Sequence, residues 1–161
     1  VLAAAAPTPA PVQVTAGDLP AIRAAVSAPG ATAVLVTVWA TWCDACQEEM
    51  PTILRFFKAH RAAGLRLILV SADDQDQRDQ VATVLADAGA EGAQAFIKSG
   101  DDDAFISGLD PRWTGAIPAS FLYDARGAKQ RFWSGQVTMQ ELEAGLRNLN
   151  KTPHKPPKGK P

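Results

Sequence analysis

The chain carries two cysteines, Cys43 and Cys46, separated by Asp44-Ala45 and placed at the end of an apolar run. Two thiols at this spacing can close a small disulfide ring at the start of a helix and reopen it, which suits passing two electrons between dithiols and disulfides. Other chemistries compete for the pair. A structural zinc site needs about four ligands, and only His60 and His154 are available to join the cysteines. Covalent haem attachment needs a histidine directly after the second cysteine, where Gln47 stands. A pair of inert core thiols is the remaining alternative, and a strand-to-helix junction beside Trp42 argues against it. No metal is therefore expected.

The elements around the pair decide its chemistry. Residues 33–39 are continuous, β-branched and apolar, as in a strand buried on both faces. Beyond the cysteines, Met50, Ile53, Leu54 and Phe57 recur at helical spacing, so Cys43 falls at that helix's amino end. First-turn N–H groups without helical partners, together with the helix dipole, favour a thiolate there. Thiols so placed have a pKa of about 3.5–7.5, against roughly 8.5 for a free cysteine. Cys46, one turn further in, is less exposed and suits the resolving role. The negative charge of Asp44 opposes a thiolate at Cys43. A moderately acidic Cys43 and a reducing, rather than strongly oxidising, disulfide follow.

Along the rest of the chain, residues 1–12 are Ala/Pro-rich and read as an extended lead-in. Their first seven residues fit either the remnant of a signal-peptide cleavage region or a linker. Asp18 caps a helix over 19–28, stopped by Pro29-Gly30. Gly64 closes the cysteine helix, and 65–70 is a second buried strand. Asp73 or Asp74 is expected to cap a helix bearing Val81, Val84 and Leu85. A short strand over 95–97 and a short helix over 101–109 precede a hairpin of 119–123 and 129–133. Thr138 and Glu141 have capping-box spacing and open a final helix through Leu149. The tail, 151–161, holds four lysines and no acid and reads as disordered. Helices between strands make at least one strand pair parallel, in an α/β sandwich.

Composition bounds the partners. The 161 residues are 47% hydrophobic and 20% charged, enough for one domain over 13–150 plus tails. A net charge of −1 gives no footprint for nucleic acid.

The segment Trp39-Ala40-Thr41-Trp42-Cys43-x-x-Cys46, followed by Glu49 and Pro51, resembles the active-site segment of thioredoxin-fold proteins. Its Glu-x-Pro is similar to the TlpA/ResA-like thiol-disulfide oxidoreductases. Trp113 to Asp124 resembles that family's cis-proline loop and following strand, and the stretch from Ser71 to Pro118 resembles its central insertion. The likeness covers roughly residues 15–150 and implies a thioredoxin-like three-layer α/β/α sandwich with a mixed central sheet.

It also implies roles. Cys43 is the attacking nucleophile and Cys46 the resolver. Glu49 tunes thiol acidity or moves a proton, with a solvated residue beside Glu48 as the bland alternative. Trp42 shields the disulfide and touches substrate, with simple packing as the alternative. Pro118 sits in cis facing the disulfide, and Ile117 offers its backbone to a bound peptide. Pro51 kinks the helix, and Trp113 either lines the same surface or packs in the core. His60 is expected to be a surface residue. Two departures stand out. Thr37 occupies the place of the buried acid of cytoplasmic thioredoxins, whose help Glu49 would have to supply, and Asp44-Ala45 stands between the cysteines in place of a dipeptide with proline. Ala40, where peroxidatic thiols of this fold have a threonine, argues against a peroxidase.

The implied activity is exchange of disulfides with protein substrates, outside the cytoplasm or in the periplasm. It needs no cofactor beyond the Cys43–Cys46 disulfide, and a membrane electron donor would reduce a monomeric protein. The competing class is a non-catalytic copper or peptide carrier, since thiolates hold Cu(I). Met50, however, belongs to the helix stripe.

Overall fold

A computed structural model describes residues 5–151; residues 1–4 and 152–161, with His154 and nearly all of the Pro/Lys-rich tail, lie outside the described residues. In chain order the elements are β1 (Val14–Gly17), α1 (Leu19–Ser27), β2 (Ala33–Trp39), α2 (Asp44–His60), β3 (Leu65–Ser71), α3 (Arg78–Ala88), β4 (Gln94–Lys98), α4 (Asp102–Leu109), β5 (Ala119–Asp124), β6 (Lys129–Ser134) and α5 (Met139–Lys151). They build one six-stranded sheet in the order β1-β4-β3-β2-β5-β6. The first four strands in that order run parallel, and β5 is antiparallel to both of its neighbours, β2 and β6.

β2 organises the sheet because every one of its residues is buried. Its alternation splits the core into two layers, as strand pleating requires. Ala33, Leu35 and Trp39 join the cluster that also holds the buried residues of α2 and α3 and Leu142 of α5. Val34, Val36 and Val38 join the cluster of α1 and α4, with Phe105, Phe121 and Tyr123. The three-layer mixed sandwich expected from sequence is the architecture observed.

Local chemistry sets the element ends. The Asp18 carboxylate accepts from the Ala21 N–H at 3.0 Å and caps α1, and Asp101 does the same for α4 with Ala104 at 2.8 Å. α2 runs into a short 3-10 turn, Arg61–Ala63, and reverses at Gly64, whose φ is +101°. A Cβ at Gly64 would also meet the Thr32 side chain at 2.8 Å, so this turn needs glycine twice over. At α5 the box is reciprocal: Thr138 N–H donates to Glu141 at 2.8 Å, and Glu141 N–H to the Thr138 hydroxyl at 3.2 Å.

Several expectations are corrected. β1 was not anticipated; it is a four-residue edge strand with Thr15 and Ala16 exposed. Val12 is already buried with Val14, so the packed chain begins inside the supposed lead-in. Neither Asp73 nor Asp74 caps α3 through its side chain, because a 3-10 turn, Gln75–Gln77, precedes a helix that starts at Arg78. Of the two placements left open for Trp113, the core is the one observed: it packs edge-on to Phe105 and Phe121 and donates its indole N–H to Ala116 O at 2.8 Å. His60 is half-buried rather than on the surface, pairing with Glu143 of α5 at 2.8 Å and lying against the Phe56 ring.

Because the Thr138–Glu141 box holds the start of α5 against solvent, Thr138→Ala should cost about 1 kcal/mol of stability. In thermal melting this lowers the midpoint by roughly 2–4 °C.

Candidate active site

The carboxyl end of β2 delivers the chain directly into α2, and Cys43 is the residue that caps the helix. Its backbone is extended, at φ −99° and ψ 104°, while Sγ accepts from the Cys46 N–H at 3.2 Å. A sulfur thus takes the place usually held by the oxygen of Ser, Thr or Asp. It sits where otherwise unsatisfied amides and the dipole converge. Cys43 and Cys46 form a disulfide with Cα atoms 5.2 Å apart. Cys43 retains 8% exposure and Cys46 2%. An incoming sulfur therefore meets Cys43 first.

Trp42, immediately before, is 67% exposed and is the one large hydrophobic side chain turned to solvent among the described residues. The loop ahead of β5 comes up to the disulfide from the other side. The Ile117–Pro118 peptide is cis, and the Ile117 carbonyl oxygen lies 3.8 Å from Cys43 Sγ. Ile117 is half-buried and Pro118 buried.

Glu49 is a buried acid of the site, at 4% exposure. It follows Cys46 by three residues on the face of α2 that continues through Met50, Ile53 and Leu54, so the helix carries it inward. Its Oε2 accepts from the Val137 N–H at 2.7 Å, in the turn between β6 and α5. Desolvation pushes its pKa from 4.5 up to about 7, partly offset by that hydrogen bond. Beside it, the Gln136 side chain donates to the Ala45 carbonyl at 2.9 Å and to exposed Glu48 at 3.1 Å. Thr37 is buried under the site and hydrogen-bonds Ser120 across the β2–β5 pair at 2.9 Å. A neutral hydroxyl pair fills that position, leaving Glu49 as the titrating acid behind the cysteines.

The structure adds residues that sequence reading missed. Asp73 is buried and turns back from the end of β3 to accept from the Thr41 N–H at 2.9 Å, from the Thr41 hydroxyl, and from the Ser71 hydroxyl at 2.6 Å. Gln47 of α2 donates to the Thr41 carbonyl at 2.8 Å. Gln136 and Val137 likewise carried no local signal, because their partners lie about ninety positions earlier. Pro51 lies within α2 and is exposed.

A mixed sheet between helix layers, with a Cys-x-x-Cys disulfide at the start of the helix after the central strand, defines a thioredoxin-like protein. Residues 22–128 match the AhpC/TSA family, and the chain belongs to it. It is similar to the thiol-disulfide oxidoreductase ResA of Bacillus thuringiensis subsp. konkukian, 27% identical over 124 residues, covering 72% of this chain and 62% of that protein. It is also similar to sporulation thiol-disulfide oxidoreductase A of Bacillus subtilis, 26% identical over 112 residues, covering 65% of this chain and 61% of that protein. The chain thus spans about three fifths of the length of these curated relatives. Among solved structures, a thioredoxin-family thiol:disulfide interchange protein from Chlorobium tepidum TLS superimposes with a TM-score of 0.62 at 22% identity, covering 91% of this chain and 99% of that one. That likeness confirms the fold.

Burial of Glu49 makes stability depend on pH with an unusual sign. Its folded pKa lies above its unfolded value, so the folded state holds the extra proton and loses stability as pH rises from about 4.5 to about 7. Glu49→Gln removes that loss. The variant should gain on the parent by about 3 kcal/mol between pH 4 and pH 8, measured by denaturant unfolding at both pH values.

Proposed function

We propose that the chain is a thiol–disulfide oxidoreductase that works in the reducing direction on protein disulfides. The observation that carries this reading is the Cys43 sulfur capping α2, with the less exposed Cys46 bonded to it and a buried acid of pKa about 7 one turn on. In the reduced protein the Cys43 thiolate attacks one sulfur of the partner disulfide. A Cys43–partner bond forms, the partner's S–S bond breaks, and the departing thiolate takes up a proton. Cys46 then gives up its proton and attacks Cys43 Sγ, which releases the partner's second thiol and closes Cys43–Cys46. Two electrons have passed to the partner, and an external dithiol donor restores the starting state.

Glu49 is the acceptor for the Cys46 proton. A carboxyl titrating near 7 is matched to proton transfer at neutral pH, where an ordinary glutamate would be too weak a base. Trp42 and the Ile117–Pro118 loop flank Cys43 and would hold the partner chain, with Trp42 supplying apolar contact and Ile117 its backbone. Asp44, exposed in the first turn, puts a negative charge beside the thiolate and keeps Cys43 from becoming strongly acidic. That favours the disulfide over the dithiol and makes the couple reducing.

The similarity to ResA and to the sporulation oxidoreductase supports placing the activity outside the cytoplasm. There the chain would act as a monomer supplied with electrons by a membrane donor. Its substrates would be disulfides between cysteine pairs of the kind found in apocytochrome c or copper sites. Among the described residues no helix is long and apolar enough to cross a membrane.

The Cys43–Cys46 reduction potential, measured against glutathione or dithiothreitol buffers, should lie well below the about −120 mV of a strongly oxidising thioredoxin-fold disulfide. A value near that figure reverses the assigned direction. A Cys46→Ser variant should accumulate mixed disulfides through Cys43, and Cys43→Ser should accumulate none. Equal trapping by both variants removes the assignment of nucleophile and resolver.

A further inference from the structure

Thr41 lies two residues before the attacking sulfur, and all three of its polar groups are held by residues from elsewhere in the chain. Its N–H and its hydroxyl both donate to Asp73, and its carbonyl accepts from Gln47. The clamp continues the sheet by other means. β2 and β3 pair in register up to Trp39 and Ser71, and the Ala72 N–H still reaches the Trp39 carbonyl at 2.8 Å. One residue later the Asp73 side chain takes over from the backbone and binds the next amide of the β2 chain that points its way. Asp73 is itself fixed, since Ser71 Oγ donates to its carboxylate at 2.6 Å and accepts from its N–H at 3.0 Å.

A buried carboxylate is expensive to desolvate unless its oxygens accept hydrogen bonds. Here three donors converge on it, and two of them belong to the residue that leads into Trp42 and Cys43. We propose that Asp73 is a positioning residue for Cys43: by clamping Thr41 it holds the sulfur on the first-turn amide of α2 and turns Trp42 out to solvent. This rests on Cys43 being the attacking sulfur. Asp73 acts through Thr41 and touches neither sulfur nor substrate in this role.

Charge and positioning predict opposite signs for its removal. The titratable groups grouped at this end of the molecule are Asp44 in the first turn of α2, Glu48 and Glu49 further along it, and Asp73 after β3. Deleting a negative charge near a thiol lowers the thiol's pKa. Releasing Cys43 from the helix end raises it.

The test reads the single thiol of the 161-residue chain in a Cys46→Ser background. The pH profile of iodoacetamide alkylation gives the Cys43 midpoint, and thermal melting reports folding. Asp73→Ala should move the midpoint up by about one pH unit, a tenfold loss of alkylation rate at pH values below both midpoints. Asp73→Asn should restore most of that loss. Its carbonyl oxygen can accept from the Thr41 N–H and Ser71 hydroxyl, while its amide donates to the Thr41 oxygen. Thr41→Val keeps the shape and the N–H bond and should shift the midpoint in the same direction by less. The double variant Thr41→Val/Asp73→Ala should match Asp73→Ala alone, because both remove one shared interaction.

An unchanged or lowered midpoint in folded Asp73→Ala overturns the proposal, as does an Asp73→Asn variant impaired to the same degree. If Asp73→Ala fails to fold, Thr41→Val decides, and an unshifted midpoint there is equally fatal. Alkylation needs no disulfide partner. Failure of the parent chain to reduce protein disulfides would therefore count against the oxidoreductase reading and leave the clamp standing.

Discussion

The bond from the Cys46 amide to the Cys43 sulfur is the contact on which the site depends. It makes one atom serve as helix cap and as nucleophile. The stabilisation that an oxygen cap gives to a helix end is here given to a sulfur that must also ionise, leave and return. Each unit by which the helix end lowers that thiol's pKa corresponds to about 1.4 kcal/mol favouring the thiolate. The rest of the structure keeps this end of α2 in a fixed relation to the sheet.

Three independent ties do so, each from a different part of the chain. Asp73 holds Thr41 to the end of β3. Gln136 and Val137, from the turn before α5, bind Ala45 and Glu49. The Ile117–Pro118 loop closes over Cys43 from the β5 side. Each tie joins residues at least thirty positions apart, so the site assembles only when the sheet does. The buried stripe of α2, from Cys46 through Phe57, supplies the apolar contact that makes this docking favourable.

Glu49 shows why a local rule and the fold can disagree. Beside Glu48 it reads as half of a solvated acidic pair. Yet it sits at the helical spacing that joins Cys46 to Ile53, and that spacing alone places it inside. Glu48, one residue earlier and about 100° around the helix, is exposed. Burial then gives the two acids different chemistry, as desolvation lifts the pKa of Glu49 into the neutral range.

The order of strands and helices from α1 onward, the two-layer burial of β2, the position of Cys43 at a helix start and the capping box of α5 were all legible in the sequence. They follow from periodicities and short-range hydrogen bonds that neighbouring residues settle among themselves. β1 was not legible, because four residues at a sheet edge, with only Val14 and Gly17 buried, show no strand alternation. Asp73 was misread for a sharper reason. An aspartate after a strand and before a helix satisfies the local rule for a cap, and only the proximity of Thr41, thirty-two residues earlier in the chain, offers it stronger partners. Trp113 and His60 were decided in the same way, by rings and acids from other elements. Local sequence determined which atoms could react, and tertiary packing decided which of the surrounding acids stayed in water and which were enclosed to tune or hold them.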